Sequence, residues 1–90
     1  MVLDIFTLIE DGESETVEFK RKFSTSRKIA KEMIAFANTK GGYILFGVDD
    51  DKSISGVESE KSELDLIETA ARFYCEPEIK YSTEIVPVKS

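Results

Sequence analysis

The sequence contains no histidine and a single cysteine, Cys75, among its 90 residues. The missing histidine excludes general-base and nucleophile schemes that depend on an imidazole. One cysteine cannot form an internal disulfide, which fits a reducing compartment. Because no histidine is present to activate its thiol, we expect Cys75 to be a core residue.

Long apolar runs are also missing. No stretch approaches the roughly 18 apolar residues of a membrane-spanning helix, and residues 1–10 carry two acids and no basic group, unlike a signal peptide. We therefore expect a cytoplasmic protein with no membrane partner. The phosphate-binding patterns G-x4-G-K-[ST] and G-x-G-x-x-G are absent as well, so the sequence predicts no nucleotide site of those kinds.

Charge is distributed unevenly along the chain. The net charge of −6 argues against nucleic-acid binding by the molecule as a whole. Residues 1–19 hold six acids and no bases, residues 20–40 hold seven bases and one acid (7 − 1 = +6), and residues 41–90 hold five bases and eleven acids. Residues 20–40, the basic block, form either a solvated helix face or a surface that contacts phosphates.

Hydrophobic periodicity predicts one α+β domain over residues 1–90. The predicted order is α-β-α-β-β-α-β, at residues 5–10, 17–20, 26–38, 43–48, 54–57, 64–74 and 79–85. Ser26 is the predicted N-cap of the second helix, and Gly41 with Gly42 is predicted to end it. We expect a small mixed or antiparallel sheet covered by helices. The aromatic residues predicted to lie in the core are Tyr43, Phe46, Phe73 and Tyr74.

Three segments in this order resemble the Schlafen AlbA-type domain family. They are GESETVEFK at residues 12–20, AFANTKGG at 35–42, and YILFGVDD at 43–50 followed by ISGV at 54–57. The resemblance implies a DNA-binding domain, of a kind that often begins longer bacterial proteins described as transcriptional regulators or ATP-binding proteins. In family members the sheet continues beyond the region equivalent to Val86. We therefore expect this chain to be truncated at its C-terminus or to be a fragment of a longer protein.

The leading hypothesis is a nucleic-acid-binding module, for DNA or RNA, of a transcriptional regulator that needs no cofactor for binding. The candidate binding residues are Lys20, Arg21, Lys22, Ser26, Arg27, Lys28 and Lys31. Ser26 would add a hydroxyl group and the backbone N–H groups of a helix N-terminus, which suit a phosphate. Such contacts set affinity rather than sequence preference.

A second hypothesis follows from the resemblance, because some Schlafen relatives are implied to cleave RNA through three carboxylates. Glu13 and Glu18 match two of those catalytic and metal-binding positions, and Asp49 or Asp50 matches the third. Clustered carboxylates would bind Mg²⁺ or Mn²⁺ and activate a water molecule. Acids in a turn also have local structural roles, so enzyme activity stays open and a non-catalytic chain is favoured.

A third hypothesis is a non-catalytic interaction domain. An exposed sheet edge could pair with a second subunit, which would make the chain a homo-oligomer.

Overall fold

The computed structural model describes residues 4–21 and 24–88. Its elements are α1 (Ile5–Asp11), β1 (Val17–Lys20), α2 (Ser26–Ala37), β2 (Tyr43–Phe46) and α3 (Glu60–Phe73). β1 and β2 pair in parallel, and α2 makes the crossover between them. The predicted α+β class is therefore confirmed, and the order of the helices and the first two strands agrees with the prediction.

The helix boundaries follow from local capping. Asp4, Thr25 and Ser59 each accept a hydrogen bond from the backbone N–H three residues later, at the start of α1, α2 and α3 respectively. The N-cap of α2 is thus Thr25, one residue before the predicted Ser26. Just beyond the end of α2, Gly41 adopts a φ of +84°, a conformation that glycine accepts readily.

The two faces of the sheet pack against different helices. On one face, β1 and β2 join α1 in a buried cluster of Ile9, Val17, Phe19, Leu45 and Val48. On the other face, Ile44 and Phe46 pack against a second cluster formed by α2, α3 and Cys75. The buried members of that second cluster are Ile29, Ala30, Met33, Ala70, Ala71 and Cys75. Burial raises the pKa of the Cys75 thiol, and its place in the core agrees with the prediction.

Alternation along β1 decides where its charged residues point. Val17 and Phe19 are buried against the α1 side, so Glu18 and Lys20 project to the opposite face. Their partners in the parallel register are Ile44 and Phe46, which face α2 and α3. The two charged side chains of β1 therefore lie beneath α2.

The sheet is smaller than predicted. Residues 54–57 do not form the expected return strand, because only Ile54 makes an isolated antiparallel bridge, to Val48. The backbone N–H groups of Ser55 and Gly56 both donate to the carbonyl oxygen of Gly47 at 2.9 Å. These residues therefore contact the turn after β2 at a single carbonyl group and do not form a regular strand pairing. Within residues 4–21 and 24–88 the sheet is two-stranded and parallel, which corrects the prediction of a mixed or antiparallel sheet.

The predicted last strand, residues 79–85, is also absent from the described sheet. Apolar and polar residues alternate in this segment as in a half-buried strand, but residues 79–85 form no strand. Tyr81 and Ile85, expected on its inner face, are 44% and 53% exposed. Alternation makes a segment suited to a sheet, but a strand also needs a neighbour, and the described residues supply none.

Three of the four aromatic residues predicted to lie in the core are exposed. Tyr43 is 43% exposed, Phe73 75% and Tyr74 45%, whereas Phe46 packs against the second cluster. The small residues Ala70 and Ala71 occupy the buried face of α3 instead. In the parts of the chain that the structure describes, no helix is long and apolar enough to cross a membrane.

Candidate nucleic-acid interface

The cations at the end of β1 are paired with acids. Lys20 points towards α2, where its Nζ forms an ion pair with Oε1 of Glu32, and the two side chains are only 19% and 21% exposed. The next residue, Arg21, places its Nε 3.3 Å from Oδ1 of Asp49. Two of the predicted binding residues therefore have their charge balanced within the fold.

Glu18 shares the β1 face with Lys20 and lies among carboxylates. Partial burial is the main cause that raises the pKa of Glu18, and the charges of Glu32 and Glu13 raise it further, while Lys20 opposes them. Oε2 of Glu32 is buried and has no hydrogen-bond partner in the described structure. Lys20 thus stands as the counter-charge in a locally acidic environment.

Two of the predicted catalytic acids have structural partners. Oε2 of Glu13 accepts a hydrogen bond from the backbone N–H of Phe19 at 3.2 Å, which ties the preceding loop to β1. Asp49 accepts hydrogen bonds from the hydroxyls of Ser53 at 3.0 Å and Ser55 at 3.3 Å. Together with the ion pair to Arg21, these bonds hold the turn that follows β2.

The remaining predicted acids, Glu18 and Asp50, interact with each other only through the electrostatic effect of their charges. Asp50 is exposed, and its negative charge makes the smallest of the contributions to the raised pKa of Glu18. Among residues 4–21 and 24–88, no three or more acids and cysteines come together as a group that could hold a metal ion. The catalytic and metal-binding roles of these acids therefore stay predictions from the sequence.

The cations of α2 have different surroundings. Arg27, Lys28 and Lys31 are all exposed, and the helical rotation of about 100° per residue places them within an arc of about 100°. The buried residues Ile29, Ala30 and Met33 occupy another side of the helix. No ion pair links these three cations to a carboxylate of the described residues. We call Arg27, Lys28 and Lys31 the α2 cation surface.

The remaining predicted binding residues are Ser26 and Lys22. Oγ of Ser26 donates a hydrogen bond to the carbonyl oxygen of Leu66 at 2.9 Å, so this hydroxyl links α2 to α3 and is already used in the fold. Lys22 lies outside the described residues.

Sequence reasoning missed the aromatic residues beside the α2 cation surface. The guanidinium carbon of Arg27 lies 5.6 Å from the centroid of the Tyr74 ring, and that of Arg72 lies 5.9 Å from the centroid of the Phe73 ring. Both distances are typical of cation–π contacts. A signal for Phe73 was present in the sequence, because this residue falls outside the helical stripe that contains Ile67 and Ala71.

The fold and this surface define a small α+β domain with a parallel β-α-β unit and a cationic crossover helix. A family model described as Schlafen, AlbA_2 matches residues 13–90, and the chain therefore belongs to this family. The match covers both strands, α2 and α3.

One curated relative is an uncharacterized ATP-binding protein of Ureaplasma parvum serovar 3. It is 43% identical to this chain over an alignment of 58 residues, and the match covers 61% of the chain and 16% of the relative. The chain thus spans about one sixth of the length of that protein. No solved structure matches the chain.

Proposed function

We propose that this domain binds the phosphate backbone of nucleic acid through the α2 cation surface, as a module of a longer DNA-binding regulator of transcription. The observation that carries the proposal is the grouping of Arg27, Lys28 and Lys31 on one exposed side of α2, without carboxylate partners in the described residues. Membership of the Schlafen, AlbA_2 family supports it, since the resemblance implies DNA binding.

The local arrangement matters more than the net charge of −6. Phosphates are attracted over distances of about one Debye length, roughly 8 Å at physiological salt, so the charges nearest to the contact dominate. In the described structure the carboxylates of Glu32 and Asp49 form ion pairs with Lys20 and Arg21. Arg27, Lys28 and Lys31 are exposed and form no ion pair with a carboxylate of the described residues, so their charge is available to a polyanion.

Titration of labelled DNA and RNA at several salt concentrations tests the proposal. Three phosphate contacts on duplex DNA predict a slope of about −3 for the logarithm of the association constant against the logarithm of salt concentration. The double substitution Lys28→Ala with Lys31→Ala should weaken binding and reduce the slope by about two. The measurement is fluorescence anisotropy on the purified chain.

The matched control removes two exposed lysines outside the basic block, by Lys61→Ala with Lys80→Ala. The two double variants have the same net charge, so a specific surface predicts that only the α2 variant loses the salt slope. Equal losses in both variants would contradict the proposal, because they would indicate a general charge effect. Absence of binding at low salt would also contradict it.

The ATP binding named for the Ureaplasma parvum relative belongs to that protein and is not proposed for this chain. Only 16% of that relative is covered by the match, and the chain contains neither of the two glycine-rich phosphate-binding patterns.

The metal-dependent nuclease remains the alternative that the sequence predicts, although no three of these acids form a ligand group within the described residues. Incubation of RNA and DNA with Mn²⁺ tests it. The alternative expects cleavage by the natural chain and none by Glu18→Gln, whereas equal cleavage by both, or none by either, would reject it.

A further inference from the structure

The end of α3 exposes two consecutive aromatic residues next to the α2 cation surface. Phe73, the last residue of α3, is 75% exposed, and Tyr74, which follows it, is 45% exposed. Large aromatic side chains are usually buried. Two consecutive exposed rings therefore indicate a binding surface.

Each of the two rings makes a cation–π contact with an arginine. Arg27 lies over Tyr74 and Arg72 lies over Phe73. Glu68 Oε1 is 3.3 Å from Arg72 Nη1, which offsets that charge. Arg27 has no such partner in the described residues, so it belongs to the α2 cation surface and to the aromatic pair at the same time.

We propose that Phe73 and Tyr74 stack on unpaired bases, so that the nucleic acid bound by this domain is single-stranded. The inference rests on the proposed function: the α2 cations contact phosphates, and the rings beside them contact bases of the same strand. Aromatic rings beside a cationic surface are the usual arrangement in proteins that bind single strands, because every base has a π-face to stack. A duplex offers such faces only at its ends, since its bases are stacked on each other.

Charge complementarity favours this occupant over a second protein chain. One guanidinium group lies over each exposed ring, and the adjacent helix presents Arg27, Lys28 and Lys31. A second copy that packed through the same surface would bring the like charges of Arg27, Lys28 and Lys31 of both chains together, which is unfavourable. A single strand supplies both the negative backbone and the planar bases.

The main test compares a labelled single strand with the same strand annealed to its complement. The natural chain should bind the single strand more tightly than the duplex. Loss of one base–aromatic stack lowers affinity by about 5- to 150-fold, so Phe73→Ala should show such a loss for the single strand and little change for the duplex. Phe73→Leu retains apolar area without a ring and should behave like Phe73→Ala.

The outcomes separate this inference from the proposed function. Salt-dependent binding of both forms with equal affinity, unchanged by Phe73→Ala, would overturn the inference and leave the proposed function standing. Absence of binding to either form would overturn both. Because Phe73 is 75% exposed, its substitution should leave the fold intact, which circular dichroism checks.

Intrinsic fluorescence gives a second readout at Tyr74. The chain contains no tryptophan and three tyrosines, so Tyr43→Phe with Tyr81→Phe leaves Tyr74 as the only strong emitter. Single-stranded nucleic acid should quench this emission, after correction for absorption, more than an equal concentration of duplex nucleotides. Equal quenching by both would contradict stacking. Light scattering on the natural chain and on Phe73→Ala covers the other occupant: a dimer that Phe73→Ala dissociates would assign the rings to a subunit interface and overturn the inference.

Discussion

Lys20 and Lys31, two lysines of the basic block, differ in what surrounds their charged groups. Lys20 on β1 is largely buried and pairs with Glu32, whereas Lys31 on α2 is exposed and has no ion-pair partner in the described residues. A strand beneath a helix must point alternate side chains towards it, while an amphipathic helix turns its charged side outwards. The number of cations in a segment therefore overestimates the charge that a polyanion can reach.

The largest effect should come from removing the packing that holds α2 in place. Ile29 is a fully buried residue of α2. Ile29→Ala should lower the free energy of unfolding by about 2–4 kcal/mol through lost apolar contact and a residual cavity. Urea denaturation provides the measurement. The control is Ile34→Ala on the same helix, where the side chain is 37% exposed and the loss should be below about 1.5 kcal/mol. Similar losses would contradict the observed orientation of α2.

The next effect sharpens the contrast between the two lysines. Lys20→Met leaves the partly buried carboxylate of Glu32 without its counter-charge and close to Glu18, so the free energy of unfolding should fall by about 1–3 kcal/mol. Lys31→Met removes a solvated cation and should change stability by less than about 0.5 kcal/mol. The same denaturation experiment on both variants checks the difference. Equal losses of stability would mean that the two lysines lie in equivalent environments, which would contradict the difference described here.

A smaller effect of opposite sign is expected at Glu18. Folding raises the pKa of this carboxyl group, so its ionised form destabilises the native state at neutral pH. Glu18→Gln should therefore increase the free energy of unfolding at pH 7, by less than about 1 kcal/mol because solvent screens the site. The natural chain regains this stability as the pH falls through the raised pKa of Glu18, so the gain should vanish below the ordinary value of 4.5.

A pH series of denaturation curves measures that trend. The control is Glu15→Gln, which changes an exposed glutamate in the turn before β1 and should show little gain at any pH. A gain at Glu18 that persists at acid pH would mean that its charge is not the cause.

The smallest effect should be at Arg21. Its side chain is 75% exposed, so the ion pair with Asp49 is screened by water and Arg21→Ala should cost less than about 0.5 kcal/mol. Asp49 keeps its hydrogen bonds from Ser53 and Ser55, which hold the turn without the arginine. Thermal denaturation at low and high salt is the measurement, and a loss above about 1 kcal/mol would show that the pair is more important than its exposure indicates.

Much of the fold could be predicted from local patterns. The three helices, β1 and the first part of β2 were recognisable because capping residues and hydrophobic periods act over a few neighbouring residues. Residues 54–57 and 79–85 have the composition of strands but form no ladder in the described structure. Strand formation depends on a partner elsewhere in the chain, which periodicity cannot supply.

The candidate site was predicted only in part. Arg27, Lys28 and Lys31 were recognised because they lie off the apolar stripe of α2, a property of the helix alone. Ser26 was assigned to phosphate binding, but its hydroxyl bonds to Leu66 on α3, a residue that local reasoning could not bring near. Phe73 was placed in the core because aromatic residues usually are, although its position on α3 faces solvent.

By itself, the sequence determined the helical and extended segments, the family and the location of the basic block, because these depend on short-range spacing and on motif order. Only the tertiary structure decided which cations remain available, since the partners of Lys20 and Arg21 come from α2 and from the turn after β2. It also brought Tyr74 beside Arg27. Contacts between elements depend on how their faces meet in space, and one-dimensional patterns carry little information about that meeting.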